Sequence, residues 1–313
     1  MTSRHISQIL GIWGTVLLLS LSSLSSYAHA SVFLRSWHVY SPNAIAVGPN
    51  GWVYVSGADS LSSDYWGRVS VFDHSGVPVM TWTTYPAPRG IAVDRNGFVY
   101  VTSYTSDALL KYDAMGGPIG TPWNLDAQGI STWPWGVAVS PLGEVLIVNQ
   151  HAASVERYTL DGQFLGRFGG YYPYLYGAQD IACETDGSMW VADTGNDRLQ
   201  HLSASNGSVL LSIGQLAGPT GVALDVTGHV FVVNARNHEV REYAGGGELI
   251  ETWGRRGTGE GEFESPTSIA IDGSRTAYVV DKGNSRIQVF AESAVPVRPN
   301  TWGAIKVQYR GKF

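Results

Sequence analysis

The chain is built on a unit of 41 to 47 residues that occurs six times. Each copy opens with a branched apolar residue and an alanine, turns, and continues into a β-branched run. A single copy cannot bury both faces of its strands, so the copies have to stack against one another. Four short strands per copy at this period are typical of a propeller blade. The sequence therefore predicts an all-β fold, a six-bladed β-propeller of four-stranded antiparallel blades. The opening pairs are Ile45-Ala46, Ile91-Ala92, Val137-Ala138, Ile181-Ala182, Val222-Ala223 and Ile269-Ala270.

Only five copies are followed by a fourth strand of their own. Those strands carry a bulky residue at a matching place, which is Trp82, Trp123, Phe168, Ile213 or Trp253. The sixth copy ends at Phe290, and the missing strand lies at the other end of the chain, where residues 32–37 match residues 77–82. We therefore predict that the N-terminal strand closes the last blade through Trp37, which leaves no long sheet edge open.

Both ends of the chain differ from the repeats. Residues 1–30 have the features of a secretory signal peptide, with Arg4, a short apolar stretch and the cleavage triplet Ala28-His29-Ala30. We predict its removal and an exported protein, periplasmic or secreted, with the propeller at 31–293. Residues 294–313 are read as a Pro-containing linker and a short basic and aromatic tail, with a helix starting at Thr301. No later segment has the roughly 20 apolar residues of a membrane-spanning helix.

Charge and cysteine content narrow the class of protein. The 26 acidic and 20 basic residues give a net charge of −6, which argues against nucleic-acid binding. Cys183 is the single cysteine, so an intrachain disulfide is excluded. It stands in the column of Val47 and Val93, and we predict a small buried apolar side chain rather than a nucleophile. We expect a monomer.

Three stretches resemble the NHL repeat. They are residues 181–202, residues 219–243 and residues 266–290, and residues 254–266 resemble the family's Gly-rich link that ends in Phe-x-x-Pro. The resemblance covers the propeller and implies the six-bladed fold. Members of the family include the peptidyl-hydroxyglycine amidating lyase, sensor domains of bacterial kinases, and RNA- or protein-binding modules. The resemblance therefore implies no single function.

Two sets of loops share one face of the predicted propeller, around the channel. The loops before each first strand present Asn43, Arg89, Trp135, Gln179, Asp180, Thr220, Thr267 and Ser268, and the turns between second and third strands present Asp59, Tyr104, Gln150, His151, Asn196, Asp197, Arg236, His238, Lys282 and Asn284. Tyr, Trp and Arg are common anchors at binding surfaces. We predict ligand contacts from Arg89, Tyr104, Trp135, His151, Asp180, Asn196, Arg236, His238 and Lys282.

No cofactor is predicted, although two metal sites stay open as alternatives. The lyase resemblance implies a divalent metal on three histidines, and here only His151 and His238 reach the face, so Asp180 would have to complete a zinc site. Asn149, Asp193, Asn234 and Asp281 form one column whose oxygens could hold calcium, as in lactonase-type propellers. The favoured interpretation of that column is turn chemistry, because Asp and Asn accept nearby backbone amides.

The predicted function is an exported binding module that recognises a protein, peptide or glycan on the loop-bearing face. The alternative is a metal-dependent lyase or lactone hydrolase at the channel mouth, so enzyme activity stays open. No Ser-His-Asp order, phosphate loop or flavin fingerprint is present in the sequence.

Overall fold

The computed structural model describes residues 27–58, 66–128, 132–170 and 174–296. Residues His29–Ser293 form one compact unit. The predicted signal peptide and C-terminal tail lie almost wholly outside the described residues, as does Asp59, and they remain predictions. Within the described ranges, no helix has both the length and the apolar character needed to cross a bilayer.

The described chain forms six four-stranded antiparallel sheets, which confirms the predicted fold class. Blade 1 contains β2 (Pro42–Val47), β3 (Val53–Ala58), β4 (Gly67–Phe72) and β5 (Pro78–Thr84); blade 2 contains β6 (Pro88–Val93), β7 (Val99–Ser103), β8 (Ala108–Tyr112) and β9 (Trp123–Asn124). Blade 3 contains β10 (Pro134–Val139), β11 (Glu144–Asn149), β12 (Ser154–Thr159) and β13 (Phe164–Gly169); blade 4 contains β14 (Asp180–Cys183), β15 (Met189–Asp193), β16 (Arg198–Leu202) and β17 (Val209–Ile213). Blade 5 contains β18 (Pro219–Leu224), β19 (Val230–Asn234), β20 (Glu239–Tyr243) and β21 (Leu249–Trp253); blade 6 contains β22 (Pro266–Ile271), β23 (Ala277–Asp281), β24 (Arg286–Pro296) and, as its outer strand, β1 (Tyr27–His38). The helical content is four single-turn 3₁₀ helices at Leu125–Gln128, Thr194–Asn196, Ala235–Asn237 and Lys282–Asn284.

The ring closes as predicted, because β1 is the outer strand of blade 6 beside β24. The Trp37 ring lies 6.3 Å from that of Tyr278 in its own blade and 5.7 Å from that of Phe72 in blade 1. Trp82 makes the same pair of contacts one blade further on, to Tyr54 and Tyr112. Trp37 therefore belongs to the column of outer-strand aromatics. Both β1 and β24 extend beyond the predicted limits of 31 and 293.

The fourth strand of blade 2 is much shorter than the repeat suggests, because β9 holds only Trp123 and Asn124. Pro122 precedes it and has no backbone N–H to donate to a sheet. The Trp123 ring nevertheless lies 6.1 Å from both Tyr100 and Tyr158. The aromatic contact of the repeat is thus kept although the backbone pairing is reduced.

The apolar core lies between the blades. Six buried clusters fill the six gaps, and each joins the strands of one blade to those of the next. Between blades 1 and 2, for example, the wholly buried Tyr54 and Val69 pack with Val99 and Val101. No blade can bury these side chains alone, which is why the copies form a closed ring.

A buried polar hub fixes the loop that leads into blade 6. The Asp281 carboxylate is fully buried and accepts hydrogen bonds at Oδ2 from Asn284, Arg286 and Gln288, at 2.9, 2.7 and 3.0 Å. Its Oδ1 accepts the backbone N–H of Glu264 at 2.7 Å, from the incoming loop. Asp193 repeats this arrangement in blade 4, with Asn196, Arg198, Gln200 and the N–H of Tyr176.

Blade 5 contains a similar hub, in which the carboxylate and the arginine occupy different positions of the repeat. Asn234 stands at the position of Asp281, and its Oδ1 accepts the N–H of Ala217. Its Nδ2 donates to Glu239 at 2.7 Å, and Arg241 donates to the same carboxylate oxygen at 2.8 Å. One carboxylate and one arginine are therefore kept while their positions along the chain change. The turn interpretation needs this correction: the side chains of Asp193, Asn234 and Asp281 accept a backbone N–H from the incoming loop. Asn149 instead accepts a backbone N–H of its own turn, from Ala152.

Candidate functional site

The first strands of all six blades begin around one end of the channel, where they enclose a cavity of about 50 Å³. That volume has room for roughly three or four water molecules. We call this cavity the mouth. The loops predicted to share the face do converge there. The mouth is lined by Asn43, Ala44, Arg89, Gly90, Trp135, Gln179, Asp180, Thr220, Thr267, Ser268 and Lys282.

Close approach of neighbouring first strands at the mouth depends on small residues. A Cβ on Gly136 would lie 2.6 Å from the Cα of Asp180, and one on Gly90 would lie 2.4 Å from the carbonyl oxygen of Trp135. The same place along the repeat is Ala44, Gly221 and Ser268 in three other blades. Sequence reasoning missed these glycines, although the column of small residues was visible. Asp180 is its one large member, and its carboxylate lines the mouth.

Two cations and an amide form one side of the mouth. We call Asn43, Arg89 and Lys282 the cation pole. The Lys282 Nζ donates to Asn43 Oδ1 at 2.8 Å, and the Arg89 guanidinium lies over the Trp135 ring at 4.5 Å. Burial lowers the pKa of Arg89, and burial together with the nearby Arg89 charge lowers the pKa of Lys282. Among the described residues neither cation has a carboxylate partner, and the buried Arg89 Nε has no hydrogen-bond acceptor.

A single carboxyl group faces the cation pole. Asp180 belongs to blade 4, which is three blades away from Asn43 in the ring of six and so lies across the channel. Its Oδ1 accepts the N–H of Ile181 at 2.9 Å, and its Oδ2 accepts that of Val222 at 3.0 Å. The carboxyl is partly buried in the lining of the mouth, and this desolvation raises its pKa to about 7 despite the two hydrogen bonds. The mouth is therefore electrically polarised across its diameter.

A row of four rings leads outward from the mouth. The Trp135 ring lies 5.5 Å from that of Tyr104, Tyr104 lies 6.0 Å from Trp133, and Trp133 lies 4.9 Å from His151. We call these four residues the aromatic row. Asp107 Oδ1 accepts from the Thr132 N–H, the Thr132 hydroxyl and the Trp133 N–H, which fixes the segment carrying Trp133. Sequence reasoning missed Trp133, because nothing in its spacing set it apart from other loop aromatics.

The remaining predicted contact residues form hydrogen bonds or ion pairs with loop residues and do not line the mouth. The Asn196 amide donates to Asp193 within the blade 4 hub. Arg236 forms an exposed ion pair with Asp197, at 3.0 Å. His238 accepts the backbone N–H of Ser265 at Nδ1, at 3.1 Å. The structure thus brings Arg89, Trp135, Asp180 and Lys282 together at the mouth, places Tyr104 and His151 in the aromatic row, and leaves these three outside both.

The proposed zinc ligands do not converge. Within the described ranges, the ligand atoms that lie within 4.8 Å of one another are those of Asp225, His229 and Glu242, and neither His151, His238 nor Asp180 is among them. That cluster lies at the far end of β18, away from the mouth. Arg275 already supplies a positive charge there, with its Nε 2.7 Å from Asp225 Oδ2. The carboxylates of the calcium column are engaged by the hub donors described above, and a bound metal stays a prediction.

Behind the mouth the channel widens into a space of about 240 Å³, lined mostly by residues with apolar side chains. Its lining includes the alanine of each repeat, together with Val47, Val93, Leu224 and Ile271. Cys183 lies on this wall and packs against the buried cluster between blades 3 and 4, and it is half-buried, which is less enclosed than the buried position that the sequence predicts. Burial, with a contribution from Glu144, raises its pKa to about 12, which keeps the thiol protonated. The first strand faces the channel, and this exposes one side of a residue that the repeat pattern places in the core.

The sequence signature of the NHL repeat matches residues 216–243 and 263–290, and that of a β-propeller repeat matches residues 87–111. The matched segments coincide with blades 2, 5 and 6. The protein is an NHL-repeat β-propeller. It is similar to NHL repeat-containing protein 3 of Homo sapiens, with 23% identity over 222 residues. The match covers 64% of this chain and 62% of the human protein, so the chain spans less than two thirds of that relative.

Two solved structures show how widely the chemistry of this fold varies. A streptogramin B lyase superposes with a TM-score of 0.60 at 13% identity, over 85% of this chain and 98% of the lyase. An auxiliary nutrient binding protein from Bacteroides ovatus superposes with a TM-score of 0.64 at 15% identity, over 86% and 78%. At this identity the likeness establishes the fold, and the function has to be argued from the residues of the mouth.

Proposed function

We propose that this NHL propeller is a binding module whose mouth takes up the anionic group of a protein, peptide or glycan ligand. The observation that carries the proposal is the cation pole, where two partly desolvated charges line one cavity without a carboxylate partner. A desolvated charge without a counterion is costly to maintain. An incoming carboxylate would relieve that cost and accept charged hydrogen bonds from Arg89 and Lys282. The side chains are already held in place by Trp135 and Asn43.

The proposed binding does not depend on a metal, because the cation pole itself supplies positive charge. We also propose that the protein acts after export, in the periplasm or outside the cell, on the basis of residues 1–30. The cavity of about 50 Å³ is small, so only the charged group of a larger ligand enters it. The rest of the ligand would lie on the loop-bearing face.

Loss of either cation is expected to weaken binding of acetate at least tenfold. Arg89→Met and Lys282→Met each remove charged hydrogen bonds worth about 1.5–3 kcal/mol. Acetate can be titrated against the indole N–H signals of the tryptophans by NMR, with the Trp135 signal assigned from Trp135→Phe. Acetamide is the neutral isostere and should not bind. The matched control is Arg256→Met, because Arg256 is 74% exposed and pairs with Glu264 outside the mouth. Unchanged acetate affinity in both mouth variants would refute the proposal.

Acetate affinity is expected to fall as pH rises from 6 to 8. The Asp180 carboxyl has a pKa of about 7, so it is mostly neutral at pH 6 and mostly ionised at pH 8. The ionised form repels a bound anion across the mouth, whereas acetate itself stays ionised throughout. We expect a decrease of about three- to tenfold, and Asp180→Asn should abolish the pH dependence. A wild-type affinity that does not change with pH, measured by the same titration, would show that Asp180 does not face the ligand.

A second function is supported by Asp180 alone. A carboxyl group that titrates near pH 7 suits proton transfer, and the streptogramin B lyase shares the fold. The purified protein can be incubated with a streptogramin B and the products separated from the substrate by liquid chromatography. Product formation that disappears in Asp180→Asn, while acetate binding persists, would favour the lyase. Acetate binding without product would leave the binding module as the function.

A further inference from the structure

The composition of the mouth narrows the class of ligand. Beyond the cation pole and Asp180, its side chains are hydroxyl or amide groups from Gln179, Thr220, Thr267 and Ser268. Among the described residues the Gln179 amide and the Ser268 hydroxyl have no hydrogen-bond partner. The residues of the mouth with apolar side chains are Ala44 and Trp135. A cavity of about 50 Å³ has no room for a large apolar side chain of a peptide, whereas the hydroxyls of a polyhydroxylated ligand find donors and acceptors on several sides.

The aromatic row supplies the complementary surface outside the mouth. Trp133 is 44% exposed, although Asp107 accepts its backbone N–H and the rings of Tyr104 and His151 contact its indole. A large ring that is both exposed and held in place offers a flat apolar face at little entropic cost. The row starts at Trp135, which also lines the mouth, so a ligand anchored by its charge can continue directly onto the rings. The distances between successive ring centroids are 5.5, 6.0 and 4.9 Å, so the row is long enough for several sugar rings at most.

We propose that the ligand is an acidic oligosaccharide that places the carboxylate of a terminal uronate in the mouth and its sugar rings along the aromatic row. This inference rests on the proposed function. The uronate carboxylate meets Arg89 and Lys282, and the hydroxyls nearest to it reach Gln179, Ser268 and the Asp180 carboxyl from the opening of the mouth. The following sugars lay their C–H faces on Tyr104 and Trp133. The charged group provides orientation, and the rings provide affinity that increases with ligand length.

The test compares four probes by isothermal titration calorimetry: galacturonate, tri-galacturonate, the neutral trisaccharide maltotriose, and tri-glutamate. We expect tri-galacturonate to bind at least about tenfold more tightly than galacturonate, and maltotriose to bind at least about tenfold more weakly than tri-galacturonate. Trp133→Ala should weaken tri-galacturonate about fivefold, since one stacking contact is lost, and should leave acetate unchanged. Trp66→Ala is the matched control, because Trp66 is similarly exposed, at 42%, and contacts Tyr85 instead of the row.

Several outcomes would refute the acidic oligosaccharide as the ligand and still leave anion binding at the mouth in place. Tri-glutamate that binds as tightly as tri-galacturonate, with the same dependence on Trp133, would indicate an acidic peptide. Equal affinities for galacturonate and tri-galacturonate would exclude the aromatic row as part of the binding site. An unchanged affinity of Trp133→Ala for tri-galacturonate would exclude it as well. Tight binding of maltotriose would show that the charge is not required. If acetate binding also failed to respond to Arg89→Met and Lys282→Met, the proposed function itself would be lost.

Discussion

Removal of residues 32–40 is expected to lower the unfolding midpoint of the propeller by at least about 10 °C. The deletion takes away the outer strand of blade 6, together with Trp37 and with Phe33, whose ring lies 5.9 Å from that of Phe290. Loss of one buried aromatic side chain costs about 3–5 kcal/mol, and both of these residues are half-buried, so we expect a total of about 5 kcal/mol. For a domain of this size each kcal/mol moves the midpoint by about 2–4 °C. The exposed edge of β24 should also promote aggregation.

Thermal unfolding followed by circular dichroism measures this effect. The matched control is Leu34→Ser on the same strand, because Leu34 is 46% exposed and points away from the core. That control should change the free energy of unfolding by less than about 1 kcal/mol. Trp37→Ala should fall between the control and the deletion. A deletion variant that unfolds at the wild-type temperature would contradict closure of the ring by β1.

Asp281→Ala is expected to destabilise the fold by about 3–5 kcal/mol, or roughly 10 °C in the unfolding midpoint. The substitution leaves Arg286 without its counterion and removes the acceptor for Gln288, in a hub where Asp281 is fully buried. It also releases the Glu264 N–H, which fixes the loop into blade 6. Arg256→Ala serves as the surface control, since its ion pair with Glu264 is exposed and should contribute less than about 1 kcal/mol.

Blade 5 offers a sharper version of this experiment. The triple variant Asp281→Asn, Arg286→Glu, Gln288→Arg transplants the blade 5 arrangement of Asn234, Glu239 and Arg241 into blade 6. If the hub works through one carboxylate, one arginine and one loop acceptor, the triple variant should recover at least half of the stability lost in Asp281→Ala. A triple variant as unstable as the single one would mean that the hub depends on its exact sequence positions.

The polar hub shows why the repeat could be recognised from the sequence while its hydrogen bonds and ion pairs could not. Asn149, Asp193, Asn234 and Asp281 share a column, and turn chemistry accounts for that column within each copy. The carboxylate partner, however, stands at a different place in different blades, as Glu239 and Asp281 show. The acceptor also serves a loop about 17 residues earlier in the chain. A pairing of that kind depends on how the incoming loop folds back onto its own blade, so a pattern of neighbouring residues cannot reveal it.

For the candidate site, too, the sequence predicted one part of the arrangement and not the other. The register of the repeat was sufficient to place Arg89, Trp135, Asp180 and Lys282 on one face, and the mouth does bring them together. It placed Asn196, Arg236 and His238 on that face as well, although these residues are engaged in loop contacts. Sequence position identifies the face that a residue reaches, whereas its neighbours decide whether the side chain is available to a ligand.

The sequence by itself determined the number of blades, their strand order and the closure by Trp37, because a repeat that cannot bury its own faces has one way to stack. Only the tertiary structure decided that two cations without a carboxylate partner meet a single, partly buried carboxyl across a cavity of about 50 Å³. The physical reason is that burial and charge separation depend on side chains from different blades. Arg89, Asp180 and Lys282 are each ordinary in their own repeat, and their desolvation arises when the ring closes around them.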